Sequence, residues 1–121
     1  MHWEHARSKD LIEWEHMGVA LAPSAFYDYD NAGGCFSGTS IVENDMLYVF
    51  YTGTVFRNGK TIQTQNMVYS SDGIKFTKYS LEMDYEGGST ENFRDPKVWK
   101  ENGTYYMLVG TSLNKRKCSF I

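Results

Sequence analysis

The sequence predicts an all-β fold built from repeated antiparallel units, and three observations lead there. Aromatic residues make up 16% of the chain while Pro occurs only twice, a composition suited to pleated, half-buried strands. Short β-rich runs alternate with turn dipeptides, and no window of about ten residues keeps a helical period. The same hairpin pattern also recurs at a near-constant spacing.

The elements follow in chain order. A shift of 62 residues places Ser8, Asp10, Ile12 and Trp14 on Ser70, Asp72, Ile74 and Phe76, so the N-terminal segment is expected to supply the last two strands of an earlier unit. Ser40-Ile41-Val42 and Met46 to Tyr51 flank a turn at Asn44-Asp45 and predict a hairpin. Asn66 to Tyr69 and Ile74 to Tyr79 flank Ser71-Asp72-Gly73, where Asp and Gly supply the turn chemistry. These four strands form one meander. A shift of 57 residues then superposes Phe36 on Phe93, Ile41 on Val98, Tyr48 on Tyr105, Gly53 on Gly110 and Thr54 on Thr111, so a further hairpin begins near Phe93. Asn102-Gly103-Thr104 has the form of a glycosylation sequon and reads as the Asn-Gly turn of that hairpin.

The chain is thus expected to hold half a unit, a whole unit and half a unit. A four-stranded antiparallel unit repeating every 57 to 62 residues matches a β-propeller blade with long connections, with a β-sandwich as the alternative. A repeat unit cannot bury its faces alone, so about two blades would leave open edges and unpacked apolar faces. Residues 1–121 are therefore expected to be a fragment of one propeller domain, without a second domain.

Composition removes several function classes. The net charge is −3 and the basic residues are scattered apart from Lys115-Arg116-Lys117, which gives no electrostatic footprint for nucleic acid or anionic lipid. A small, neutral partner is expected. Cys35 and Cys118 form neither a disulfide framework nor a zinc pair and are expected to be free thiols. Met1 is followed by His2, Trp3 and Glu4 instead of a basic n-region and an apolar run, so the expectation is a cytoplasmic protein.

Motifs for metals and cofactors fare no better. His2-Trp3-Glu4-His5 has the wrong order for a helical H-E-x-x-H zinc site. Asp28-Tyr29-Asp30-Asn31-Ala32-Gly33 starts like a calcium loop, but Thr39 stands where the bidentate acid belongs, so the segment reads as a polar loop. G-x-S-x-G and phosphate-cradling glycine loops are missing, and no cofactor is expected.

Asn92-Phe93-Arg94-Asp95-Pro96-Lys97-Val98-Trp99 places a charged pair at the start of a strongly β run. Pro96 lacks an N–H, is tolerated at a first strand position, and is expected to bias Asp95 toward an extended backbone that holds its carboxylate stiffly. The competing reading is a surface Arg94–Asp95 pair on an ordinary Asp-Pro turn. Cys35-Phe36-Ser37-Gly38-Thr39 occupies the equivalent place one repeat earlier. In a propeller the loops leading into the innermost strands line one mouth, so Phe36 would offer an apolar wall and Ser37 a hydroxyl to a sugar. Taken alone, Ser-Gly-Thr is also an ordinary tight turn.

With those residues in view, the sequence resembles glycoside hydrolase family 32, the invertases, sucrose-6-phosphate hydrolases, levanases and inulinases. The segment from Trp3 to Trp14 resembles the family's W-G-H-A-x-S-x-D-L-x-x-W pattern, with Glu4 in place of its Gly. Phe36-Ser37-Gly38-Thr39 resembles F-S-G-S, Met67 to Gly73 resembles the intervening strand and turn, and Phe93 to Trp99 resembles the R-D-P segment. The resemblance implies a five-bladed propeller and a retaining mechanism that uses a nucleophilic Asp and an acid/base Glu. It implies that Asp95 is the third acid, which stabilises the oxocarbenium-like transition state, and that Arg94, Phe36 and Ser37 line the fructosyl subsite, with Trp3 as a further wall. The family's nucleophile belongs to an N-D-P-N-G motif and its acid to an E-C motif, and neither occurs in this sequence. The stretch Leu113 to Ile121 does not resemble the family's G-R-V-x-L-Y strand.

The expectation is therefore a fragment of a hydrolase of sucrose, sucrose 6-phosphate or fructans that is inactive alone. Two alternatives are a non-catalytic carbohydrate-binding fragment and a sibling five-bladed hydrolase acting on arabinan or xylan.

Overall fold

The computed structural model describes residues 1–83, 91–112 and 118–120, and among them every regular element is a strand. Strands β1 (Trp3–Arg7) and β2 (Glu15–Leu21) form an antiparallel pair. Strands β3 (Gly34–Glu43), β4 (Met46–Arg57), β5 (Lys60–Ser70) and β6 (Thr77–Met83) form a four-stranded antiparallel meander in sequential order. Strands β7 (Arg94–Glu101), β8 (Thr104–Ser112) and β9 (Cys118–Phe120) make a third sheet, so the final unit adds a short third strand to the expected hairpin. The segment 113–117, with its Lys115-Arg116-Lys117 run, and the side chain of Cys118 lie outside the described residues.

Three hairpins close through two-residue turns whose central residues all have positive φ: Asn44 and Asp45, Asn58 and Gly59, Asn102 and Gly103. This left-handed pair matches the twist of the flanking strands and is tolerated chiefly by Asn, Asp and Gly, which explains the residues found there. The Asn58-Gly59 turn carries β4 and β5 far beyond the strands expected from the sequence. The repeat holds for the first strand of each hairpin, but the turn after Glu101 falls one residue later than the 57-residue shift places it. Ile41 accordingly pairs with Tyr48, whereas Val98 pairs with Met107.

The 62-residue repeat is reproduced in four hydrogen bonds of each turn. Ser8 Oγ donates to Asp10 Oδ1 at 3.0 Å and accepts the Leu11 amide at 2.8 Å, while Asp10 Oδ1 accepts the amides of Ile12 and Glu13, both at 2.9 Å. Ser70 and Asp72 repeat this, accepting the amides of Gly73, Ile74 and Lys75 at 2.8 to 2.9 Å. Because those amides are spent on the turn, β6 begins at Thr77 and Ile74-Lys75-Phe76 stay outside the ladder, a correction to the expected strand. Leu11, with φ 67°, sits where Gly73 has φ 70°. A left-handed L-residue costs roughly 1–2 kcal/mol and glycine's extra freedom in the unfolded chain about 0.5–1 kcal/mol. Leu11 is 78% exposed and loses little packing on truncation. Leu11→Gly is therefore expected to stabilise the fold by about 0.5–1 kcal/mol, read as a rise in melting temperature; a fall would refute the strain argument.

The four-stranded sheet is covered on both faces. Leu47, Val49 and Tyr51 alternate along β4 and meet Val68, Leu21, Tyr27 and Cys35, with Trp3 and Ala20 of the first sheet packed against them. On the opposite face Tyr48, Phe50 and Met67 look across a groove of ≈ 390 Å³ at Val98, Tyr106 and Met107 of the third sheet. A Lys100–Glu43 ion pair at 2.5 Å closes the rim. Sheets stacked face to face in chain order, with β7 packed along β3, form the radial arrangement of propeller blades.

One buried carboxylate ties these parts together. Asp28 is fully buried; its Oδ1 accepts the amides of Ser24 and Ala25, both at 2.8 Å. Its Oδ2 accepts the Tyr51 hydroxyl at 2.7 Å and Lys78 Nζ at 2.5 Å. Burial raises the Asp28 carboxyl, but Lys78, Tyr51 and the two amides outweigh it and hold the group below the usual carboxylate range. Burial first, and the Asp28 charge second, push the neighbouring Cys35 thiol up to about 12. Cys35 is a free, packed sulfhydryl. The segment read as a polar loop is a largely exposed loop anchored by the buried Asp28, and Asp30 adds to the anchor by accepting the Phe56 amide at 2.8 Å.

Candidate active site

The sequence-predicted site residues gather at strand starts on one end of the sheets. Trp3 opens β1, Phe36 and Ser37 follow the start of β3, and Arg94 and Asp95 open β7. Trp3 Nε1 donates to the Phe36 carbonyl at 2.9 Å, so the first two sheets are joined at this end. The Cys35 amide also donates to the Met1 carbonyl at 3.0 Å.

Both first strands carry a one-residue bulge near their start. Between Cys35 and Gly38 the β3 chain advances three residues against two of β4, and between Arg94 and Lys97 β7 does the same against β8. A bulge bends the strand and re-aims side chains out of the alternating pattern. Phe36 is left half-buried and Ser37 exposed on the first bulge, and Arg94 half-buried and Asp95 exposed on the second, while Phe93 and Pro96 both stay buried. Gly38 is required at its place, since a Cβ there would lie 1.8 Å from the Phe50 carbonyl oxygen.

Asp95 departs from the sequence expectation. Its φ is 62°, in the left-handed region, whereas the following proline favours extended backbone. The bulge supplies the reason, because the chain must take up one extra residue between two ladder pairs. A non-glycine residue held there stores local strain, a condition that clusters at functional sites. Arg94 Nε lies 3.9 Å from Asp95 Oδ2, and the Asp95 side chain is 64% exposed. That contact is too long and too wet to define the site as a structural ion pair. The carboxylate keeps its acceptor capacity for a ligand, and the guanidinium beside it offers further donors.

Sequence reasoning passed over the residues behind this surface. Thr52 and Gln65, registered partners on β4 and β5, are fully buried, and the Asp95 amide donates to Thr52 Oγ1 at 3.2 Å. Nothing in a polar run such as Gln63-Thr64-Gln65-Asn66 signals burial by hydrophobicity, and alternation does not reveal it either, since all four consecutive residues are buried. At the other motif set aside, His5 Nδ1 lies 3.1 Å from the Gly18 carbonyl and the ring meets Phe76 edge-on, so this histidine is used in packing.

Comparison with known proteins adds a family to this geometry. Residues 1–121 match the family model described as the Glycosyl hydrolases family 32 N-terminal domain. Among curated relatives, the chain is 38% identical over 116 residues to the sucrose-6-phosphate hydrolase of Bacillus subtilis (strain 168), covering 95% of this chain and 24% of that protein. It is 41% identical over 115 residues to the raffinose invertase of Escherichia coli, covering 91% and 23%. Among solved structures, the Bombyx mori GH32 beta-fructofuranosidase superposes with a TM-score of 0.81 at 38% identity over 95% of this chain and 24% of its own. The sucrose-6-phosphate hydrolase from Lactobacillus gasseri superposes with a TM-score of 0.87 at 27% identity, over 98% and 24%. The chain spans about a quarter of the length of these relatives.

Proposed function

The chain belongs to glycoside hydrolase family 32, and on that premise we propose that it is part of the catalytic propeller of a retaining enzyme that hydrolyses the fructosyl bond of sucrose, sucrose 6-phosphate or a fructan. The observation that carries this reading is the exposed Asp95 carboxylate, held in a left-handed conformation on a bulged first strand beside the strand that presents Phe36. In this mechanism Asp95 accepts hydrogen bonds from fructosyl hydroxyls, and those bonds tighten as the ring flattens toward an oxocarbenium ion. Arg94 donates to the sugar or orients the acids, Phe36 and Trp3 form the apolar wall, and Ser37 supplies a hydroxyl. Among small sugar substrates, sucrose and its 6-phosphate are supported by a relative named as a sucrose-6-phosphate hydrolase and a solved neighbour described in complex with sucrose.

A retaining displacement needs a nucleophile and an acid/base carboxyl close together, and neither motif occurs within these 121 residues. The isolated chain is therefore expected to release no fructose from sucrose, sucrose 6-phosphate or inulin, whereas a full-length protein carrying this segment releases it. Reducing-sugar release by the isolated chain, or no fructose from any of the three with the full-length protein, would overturn the proposal.

A further inference from the structure

The start of β7 is gripped by two side chains of the neighbouring sheet. Thr52 and Gln65 are 0% and 1% exposed and face one another across β4 and β5. The Thr52 hydroxyl donates to Gln65 Oε1 at 2.8 Å, Gln65 Nε2 donates to the Phe93 carbonyl at 2.8 Å, and the Asp95 amide donates to Thr52 Oγ1 at 3.2 Å. The polarity of this chain of bonds is forced. A carbonyl can only accept, so the Gln65 amide must turn its NH₂ toward Phe93 and its oxygen toward Thr52. The single Thr52 proton then goes to Gln65, and a lone pair is left for the Asp95 N–H.

We infer that Thr52 and Gln65 are positioning residues for the hydrolytic site, a buried strap that holds residues 93 and 95 on either side of Arg94 and fixes the left-handed backbone that aims the Asp95 carboxylate. The inference rests on the proposed role of Asp95. Neither side chain touches the sugar; both act through the β7 backbone. A left-handed conformation that the following proline disfavours persists only when its surroundings over-determine it, and the strap supplies that determination from a different sheet. Release of the Asp95 amide would let the backbone relax toward the extended form and rotate the carboxylate away from the hydroxyls it must meet.

The test compares Thr52→Val, Thr52→Ser, Gln65→Glu and Asp95→Asn in a full-length protein carrying this segment, with kcat, KM and melting temperature read on each. Thr52→Val keeps the volume but removes the lone pair and the proton, and is expected to lower kcat by about 10- to 100-fold with little change in KM, since small misplacements of a reacting group have effects of that size. Thr52→Ser restores both and is expected to return kcat to near the parent value. Gln65→Glu sets an anion against the Phe93 carbonyl; its kcat relative to the parent should rise as the pH falls and the introduced carboxyl regains a proton to donate. Equal losses for Thr52→Val and Thr52→Ser in step with melting temperature, or a pH-independent Gln65→Glu ratio, would overturn the inference. So would parent-like turnover of Thr52→Val alongside an inactive Asp95→Asn, while the proposed function would survive. Parent-like turnover of Asp95→Asn would instead remove the reading of Asp95, and this inference with it.

Discussion

Replacing Lys78 with methionine is expected to destabilise the fold by about 3–5 kcal/mol at neutral pH, the cost of leaving one member of a buried ion pair without its partner. Lys78 Nζ lies 2.5 Å from Asp28 Oδ2, and the Asp28 side chain is fully buried while that of Lys78 is only 19% exposed. The same Asp28 carboxylate also binds Tyr51 on β4 and the amides of the 24–25 turn, so its charge supports three segments at once. In the parent the folded-state carboxyl is held below its ordinary value of 3.8, so its contribution is present above that value and is lost as the pH falls through the lower folded one. In Lys78→Met burial is opposed only by Tyr51 and the amides, the carboxyl shifts upward, and the deficit should shrink toward acid pH as Asp28 takes up a proton. Urea unfolding at pH 7 and at lower pH measures this, and Asp28→Asn combined with Lys78→Met should lose less than Lys78→Met alone. A deficit under about 1 kcal/mol, or one that does not change with pH, would show that the pair is not the anchor described here.

That anchor shows where sequence reasoning stops. The hairpin turns at Asn44-Asp45 and Asn102-Gly103 were legible because two-residue turns demand left-handed residues and few side chains accept them, and the Ser8/Asp10 and Ser70/Asp72 turns were legible as a repeat, whereas the same chemistry at Asn58-Gly59 was passed over. The bulges were not, since a bulge depends on which residue across the ladder is skipped, and that is a pairing property. Pro96 argued for an extended Asp95, and the local preference lost to the register imposed by β8 and to the Thr52 bond. Asp28, Thr52 and Gln65 were missed for a common reason: hydrophobic patterning marks polar residues as outside, and these are inside because partners from distant segments satisfy them. The residues proposed for the chemistry, by contrast, sit near strand starts within segments that resemble the family's motifs, and that resemblance marked them when their residue types alone did not.

The central claim is that Asp95 is held for chemistry and not for folding, and Asp95→Asn in a full-length protein carrying this segment tests it most directly. The substitution keeps the shape, removes the charge, and suits a φ of 62°, because Asn is among the residues that tolerate the left-handed region. The side chain is mostly exposed and its contact with Arg94 is 3.9 Å, so the folded state gives up little. If the carboxylate binds fructosyl hydroxyls more tightly in the transition state than in the ground state, kcat should fall by about 10²- to 10³-fold with a smaller change in KM. Measured on one preparation, the account predicts that loss of turnover with an unchanged or slightly raised melting temperature. Near-parental kcat accompanied by a large drop in melting temperature would contradict it and make Asp95 part of the scaffold.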